Sequence, residues 1–230
     1  EVDDKIISKQ ELIKIVDSVL KINNMIDGVH VRMMVTRGIK KTPSQDPRLT
    51  ISGPNLVIIP EFKMADPSSK SKGIKLFTSS IRRGSPDYLD PKLNCHSKLH
   101  EVQALIQAIE AGADEALMLD VHGFVSTCNS TNFFIIKNGI VFTSTGQYCM
   151  NGITRQKIID VCKANKIEVR ETNFSLFDVY GADEAFVTGT FAGVTPVISV
   201  DGKSIGKNSN NEFSATLEKH YKYLVESQVK

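Results

Sequence analysis

What is missing from the 230 residues narrows the field first. No uninterrupted apolar run approaches the roughly 20 residues that a spanning helix needs, and the opening Glu-Val-Asp-Asp-Lys lacks the apolar stretch of a signal peptide. No membrane role is expected, and a soluble cytoplasmic protein is. Cysteine is scarce: Cys95, Cys128, Cys149 and Cys162 are too few and too widely spaced for a disulfide framework, and no C-x-x-C pair suggests zinc or redox work. They read as reduced thiols. Net charge is nearly absent too, at +2, with 28 Lys+Arg interleaved among 26 Asp+Glu. That leaves no extended basic face for nucleic acid, so small molecules are the expected partners. What is present is 41% hydrophobic and 23% charged residues, enough to bury a core in one or two globular domains.

Periodicity organises the chain. Ser8 with Glu11 forms a capping box ahead of Leu12, Ile13, Val16, Val19 and Leu20, which predicts an amphipathic helix over residues 8–23. Strands are expected over 29–35 and 55–62, around a polar loop from Ile39 to Pro54. Residues 65–72, Ala-Asp-Pro-Ser-Ser-Lys-Ser-Lys, have the composition of a linker and place the domain boundary there. Beyond it strands are expected over 73–81, 115–120, 124–127, 168–174 and 184–190. Helices are expected over 97–111, 154–165 and about 212–226. Hairpins turn at Asn138-Gly139 and Asp201-Gly202, dipeptides suited to positive φ. Hairpins outnumber βαβ units, which favours an α+β fold.

Three segments can carry chemistry. Asn151-Gly-Ile-Thr-Arg155 opens a helix, so Thr154 is expected to cap it while the free N–H groups face outward: a phosphate cradle or an ordinary N-cap. Thr188-Gly-Thr190 ends an apolar strand and offers a second hydroxyl, or merely a tight turn. The third is Asp90-Pro-Lys-Leu-Asn-Cys-His-Ser-Lys-Leu-His100. There Lys98 is expected in the first helical turn, on the face of a buried stripe of Val102, Leu105 and Ile109. Partial burial and the helix N-terminus both disfavour its charge, which suits a nucleophile or base; a snorkelling lysine is the alternative. His96 and His100 share helical spacing, but Ser97 is expected to start the helix between them, so no metal is expected.

These segments, in this order, resemble the class IV aminotransferases. These are fold type IV pyridoxal-phosphate enzymes that include branched-chain and D-amino-acid aminotransferases and aminodeoxychorismate lyase. The resemblance runs from about His30 to Gly206. It is carried by Val35-Thr-Arg-Gly38, Gly112-Ala-Asp-Glu-Ala-Leu-Met-Leu-Asp120, Gly123-Phe-Val125 with Asn132-Phe133, Gly152-Ile-Thr-Arg155, Ala182-Asp-Glu-Ala-Phe186, Thr188-Gly-Thr190 and Thr195-Pro-Val197 with Asp201-Gly202. It implies pyridoxal 5'-phosphate in a cleft between a small and a large domain, and a homodimer completing the site. It also implies a 1–65 partial small domain lacking its leading strands, a 66–72 linker and a 73–230 large cofactor-binding domain.

By the resemblance, Ile153, Thr154, Gly189 and Thr190 hold the cofactor phosphate. The loop after Arg37, with Lys40, Lys41 and Arg48, corresponds to a region that contacts the substrate carboxylate. Two positions depart from the family. Asn94 stands where the Schiff-base lysine belongs, and Lys98, at a position where branched-chain aminotransferases carry a tyrosine near the cofactor, is expected to take over, with Lys92 as its rival. Thr127 stands where a glutamate keeps the ring nitrogen protonated; a hydroxyl there leaves the ring largely neutral. The implied function is transamination between a small amino acid, branched-chain or D, and a 2-oxo acid. A lyase of the aminodeoxychorismate type and a catalytically inactive cofactor or metabolite binder are the alternatives.

Overall fold

The computed structural model describes residues 7–65, 67–206 and 211–228. The chain divides into two compact units, Glu1–Ala65 and Asp66–Lys230. In chain order the elements are α1 (Lys9–Ile22), β1 (Val29–Val35), a 3-10 turn (Pro47–Leu49), β2 (Leu56–Phe62), α2 (Pro67–Lys72), β3 (Ile74–Thr78), α3 (Pro86–Leu89), α4 (Leu99–Glu110), β4 (Glu115–Leu119), β5 (Val125–Cys128), β6 (Asn132–Lys137), β7 (Ile140–Thr143), α5 (Ile153–Ala164), β8 (Val169–Glu171), α6 (Leu176–Tyr180), β9 (Glu184–Gly189), β10 (Gly193–Val200), β11 (Lys203–Ser204) and α7 (Glu212–Gln228). No helix among the described residues is long and apolar enough to cross a membrane.

In the first unit Ser8 and Glu11 form the expected capping box on α1, and β1 pairs antiparallel with β2. Gly38 holds φ +90 in the loop that follows β1; a Cβ there would lie 2.1 Å from the Gly53 carbonyl oxygen, so only glycine fits. The stretch with linker composition is helical over Pro67–Lys72, and Lys70 pairs with Glu218 at 2.9 Å.

The second unit is an α+β fold around one mixed sheet, ordered β5-β4-β3-β10-β9-β6-β7-β8 with β11 on β10. Strand β3 runs parallel to β4 and β10, and β7 parallel to β8; the other pairings are antiparallel. The hairpin between β6 and β7 turns where expected, with Asn138 and Gly139 at φ 52 and 74. Both faces of the sheet are covered, so β4, β5 and most of β6 are buried along their length. On one face Leu117, Phe133, Ile135, Ala185 and Val187 join one core; on the other Phe134 and Phe186 pack with Ile158, Ile159 and Leu217 of α5 and α7.

Helix α4 corrects the expected pattern. Its buried side is Glu101, Ala104 and Ala108, against Ala116 and Met118 of β4, while Val102 and Ile109 stand exposed. Small alanines let the helix approach the strand, and the larger apolar residues are turned outward.

The turn between β5 and β6 hangs on one carboxylate. Glu115, nine-tenths buried or more, accepts hydrogen bonds from the Ser130 N–H and hydroxyl and from the Thr131 hydroxyl. Burial pushes its carboxyl above the ordinary value, against the pull of those hydrogen bonds. Since the folded value is the higher, the group favours the folded state below its ordinary pKa and loses that contribution as pH rises through the folded value. Glu115→Gln keeps the shape but cannot ionise. Chemical denaturation at about pH 4 and about pH 7 should show the variant gaining on the wild type at the higher pH; a constant gap refutes this.

Candidate active site

Two clusters in the second unit bear the expected chemistry. The first gathers at the start of α4. Arg83, 5% exposed, donates from Nη1 to Glu101 Oε1 at 2.8 Å and from Nε to the Tyr148 carbonyl at 3.2 Å. His100 lies between them, with Nε2 3.4 Å from Arg83 Nη1 and Nδ1 3.1 Å from Glu101 Oε2. A guanidinium has only protons to offer, which leaves the imidazole proton on Nδ1, although Glu101 Oε2 accepts no hydrogen bond among the described residues. Burial lowers the His100 pKa; Glu101 opposes this, and Arg83 and Lys98 add to it. Lys98 Nζ is 3.9 Å from Glu101 Oε1. These side chains line a cavity of about 300 Å³ whose wall also includes Arg82, Tyr88 and Leu93.

Lys98 is thus not in the first turn, where periodicity put it. It is the N-cap residue, and the helix starts at Leu99 rather than Ser97. The backbone N–H of Lys98 is taken by His96 in a tight turn, and its side chain leans toward Glu101 and the cavity. Lys92 and Asn94 do not line that cavity; Asn94 is exposed and Lys92 Nζ sits 3.6 Å from Asp90.

The second cluster surrounds the start of α5. The N-cap is Gly152, not Thr154, which is the second helical residue. Gly152 has no side chain to offer, so the first N–H groups of the helix lack a side-chain cap and the positive dipole end is open. Oγ1 of Thr154 is buried without a hydrogen-bond partner among the described residues, and so is Oγ1 of Thr188, near the end of β9. Thr188 pairs in register with Asn132, on the sheet face that carries Phe134, Phe186 and α5. Arg155 is buried and ties α5 down through the Ser144 carbonyl and Glu171.

Thr127 is buried on β5. Its hydroxyl donates to the Thr131 carbonyl at 2.7 Å, so what it can offer a ligand is a lone pair. Gly189 closes β9, and Thr190 is exposed beside it, lining a separate cavity of about 270 Å³ with Lys70, Glu218 and Tyr221. Ile153 is exposed at the first turn of α5. Arg37, Lys40 and Lys41 belong to the first unit: Arg37 and Lys41 are exposed, and Lys40 donates to the Ser44 carbonyl. The structure therefore groups Thr127, Thr188 and Gly152, the N-cap of the helix that carries Thr154, around Asn132, and Lys98 with Glu101 and Arg83. The clusters meet at Tyr148, whose carbonyl accepts from both Arg83 and the Ser126 hydroxyl. Sequence reading gave Arg83 and Glu101 no role and used Asn132 only as part of the Asn132-Phe133 motif, because the pairings that mark them out, Arg83 with Glu101 and Asn132 with Met150, each span 18 positions. The one local signal was a glycine heading α5 where a capping side chain is usual.

An open helix end flanked by two buried, unpartnered hydroxyls fits a phosphate. The residues suit pyridoxal phosphate on that count, and Lys98 is an amine lining the neighbouring cavity.

Comparison with known proteins gives the family of the chain. The family model for amino-transferase class IV matches residues 6–200. The chain is 37% identical over 217 residues to a putative branched-chain-amino-acid aminotransferase of Methanocaldococcus jannaschii, covering 94% of this chain and 74% of that one. It is 33% identical over 223 residues to branched-chain-amino-acid aminotransferase-like protein 1 of Arabidopsis thaliana, covering 97% of this chain but 40% of the plant protein. The chain thus spans about two fifths of the length of that relative. Among solved structures, the branched-chain amino acid aminotransferase from Escherichia coli superposes with a TM-score of 0.79 at 28% identity, over 91% of this chain and 68% of that one.

Removing one partner of a buried ion pair strands the other. Arg83→Met is expected to destabilise the second unit by about 3–5 kcal/mol in urea denaturation, and Arg83→Met with Glu101→Leu by much less. A single variant within about 1 kcal/mol of wild type contradicts this.

Proposed function

The chain belongs to the class IV aminotransferases, and from that premise we propose that it binds pyridoxal 5'-phosphate and transfers amino groups between a small amino acid, branched-chain or D, and a 2-oxo acid. The observation that carries the reading is the pair of buried, unpartnered hydroxyls of Thr154 and Thr188 beside an uncapped helix. When bound, the cofactor supplies an aldehyde carbon for an amine and an electron-withdrawing ring.

Each residue then has a defined task. Ile153 and Thr154 hold the phosphate at the positive end of α5, with the Thr188 hydroxyl and the adjoining Gly189 and Thr190 at the end of β9. Lys98 supplies the amine and moves the proton, since Asn94 cannot; Glu101 at 3.9 Å keeps the lysine side chain toward the cavity. Thr127 meets the ring nitrogen with a lone pair, because its own proton is committed to Thr131. An uncharged acceptor holds a proton on that nitrogen less firmly than a carboxylate does. This favours, as the second reading, elimination chemistry of the aminodeoxychorismate lyase type. Arg37, Lys40 and Lys41 bind the substrate carboxylate.

Borohydride reduction with pyridoxal phosphate, followed by peptide mapping, tests the assignment. The label is expected on Lys98, and Lys98→Ala should abolish the visible band. A label on Lys92 moves the amine there; binding without any label makes the protein an inactive binder; no binding removes the reading altogether.

The assembly proposed is a homodimer. Helix α4 leaves Leu99, Val102, Ile106 and Ile109 at least half exposed at helical spacing, a stripe that a second copy would cover. Sedimentation should find the wild type dimeric and Val102→Glu with Ile106→Glu monomeric; a monomeric wild type refutes it.

A further inference from the structure

Asn132, the first residue of β6, is buried and reaches three neighbouring segments with one short side chain. Its Nδ2 donates to the Met150 carbonyl at 2.9 Å, and it lies 3.4 Å from Thr127 Oγ1 and 3.8 Å from Cys149 Sγ. Its Oδ1 occupies the space beside Gly152, where an added Cβ would come within 2.5 Å of that oxygen. Across the ladder it faces Thr188.

Gly152 itself has φ −62 and ψ 148, a conformation open to any residue. The backbone does not demand glycine there; the Asn132 side chain does. A capping serine or aspartate would have satisfied the helix end, yet the position is kept bare and Asn132 is packed against it. The consequence is a helix terminus held at fixed distance from β5 and β9 with its N–H groups left for something else.

We propose that Asn132 is a positioning residue for anion binding, locking the uncapped start of α5 against Thr127 and Thr188 so that helix N–H groups and the two orphan hydroxyls serve one phosphate-sized group. This rests on the phosphate reading given above and names the residue that builds the site. Asn132 makes no contact with the anion in this scheme; it acts through Gly152 and Met150.

The test is a double-mutant cycle on the full chain, with affinities for pyridoxal 5'-phosphate and for inorganic phosphate measured by calorimetry. Asn132→Ala is expected to weaken both by about tenfold, the scale of one buried hydrogen bond. Gly152→Ala should do the same through its clash. Adding Gly152→Ala to Asn132→Ala should cost about twofold or less, because the oxygen it would strike has gone. Unchanged affinity in Asn132→Ala overturns the proposal, as do additive losses, which a general loss of structure would give. If Gly152→Ala does not fold alone while the double variant does, the clash and its relief are read from folding instead and support the lock. Failure of the cofactor reading looks different. A wild type that binds phosphate but not pyridoxal phosphate ends that reading and leaves Asn132 judged on phosphate alone. A wild type that binds neither ends both.

Discussion

The register between β6 and β9 is the constraint on which the rest of the second unit depends. Side chains alternate across a strand, so a slip of one residue would exchange the two faces of β6 wholesale. Here the exchange is forbidden on both sides: Phe133 and Ile135 fill one core, Phe134 and Ile136 the other. Phe134 opposes Phe186 in register, their rings stacked at 4.9 Å and 6°. Each such ring buried contributes about 1.5–3 kcal/mol. The same register sets Asn132 opposite Thr188 on the α5 face, which is how two residues 56 positions apart come to share a site.

The ion cluster at α4 follows a different logic. A buried Arg–Glu pair is weak as a source of stability, since desolvating both charges offsets most of their attraction. What it supplies is geometry. Glu101 can be buried only where Arg83 meets it, and that fixes the rotation of α4 despite the outward-facing Val102, Ile106 and Ile109. Lys98 and His100 are carried along, one either side of the carboxylate.

Local chemistry was legible in the sequence where it is decided locally. The Ser8–Glu11 box and the Asn138-Gly139 turn sit where residue type alone puts them. The class IV resemblance was legible too, because its short motifs recur in order. Helix α4 was misread because hydrophobicity ranks valine above alanine, whereas a helix lying close on a strand buries the smaller residue. The cap of α5 was misread because threonine is the better capping residue, and only the distant Asn132 explains why glycine stands one position earlier than the helix. Helix α6 escaped notice although its Ser175 and Asp178 form a capping box, since five residues offer too little periodicity to register.

The two clusters are joined by an irregular stretch of the unit, residues 144–152 between β7 and α5. A partly buried segment without a ladder must find partners for its carbonyls elsewhere. Those of Ser144, Tyr148 and Met150 are met by Arg155, by Arg83 with Ser126, and by Asn132. The donors come from α5, the loop after β3, β5 and β6. Each of these elements also contributes to, or stands next to, a candidate site residue: Thr154 beside Arg155, Thr127 beside Ser126, Glu101 bonded to Arg83. The segment therefore cannot shift without loosening donors on both sides. The two clusters thus share one set of anchoring carbonyls without having to touch.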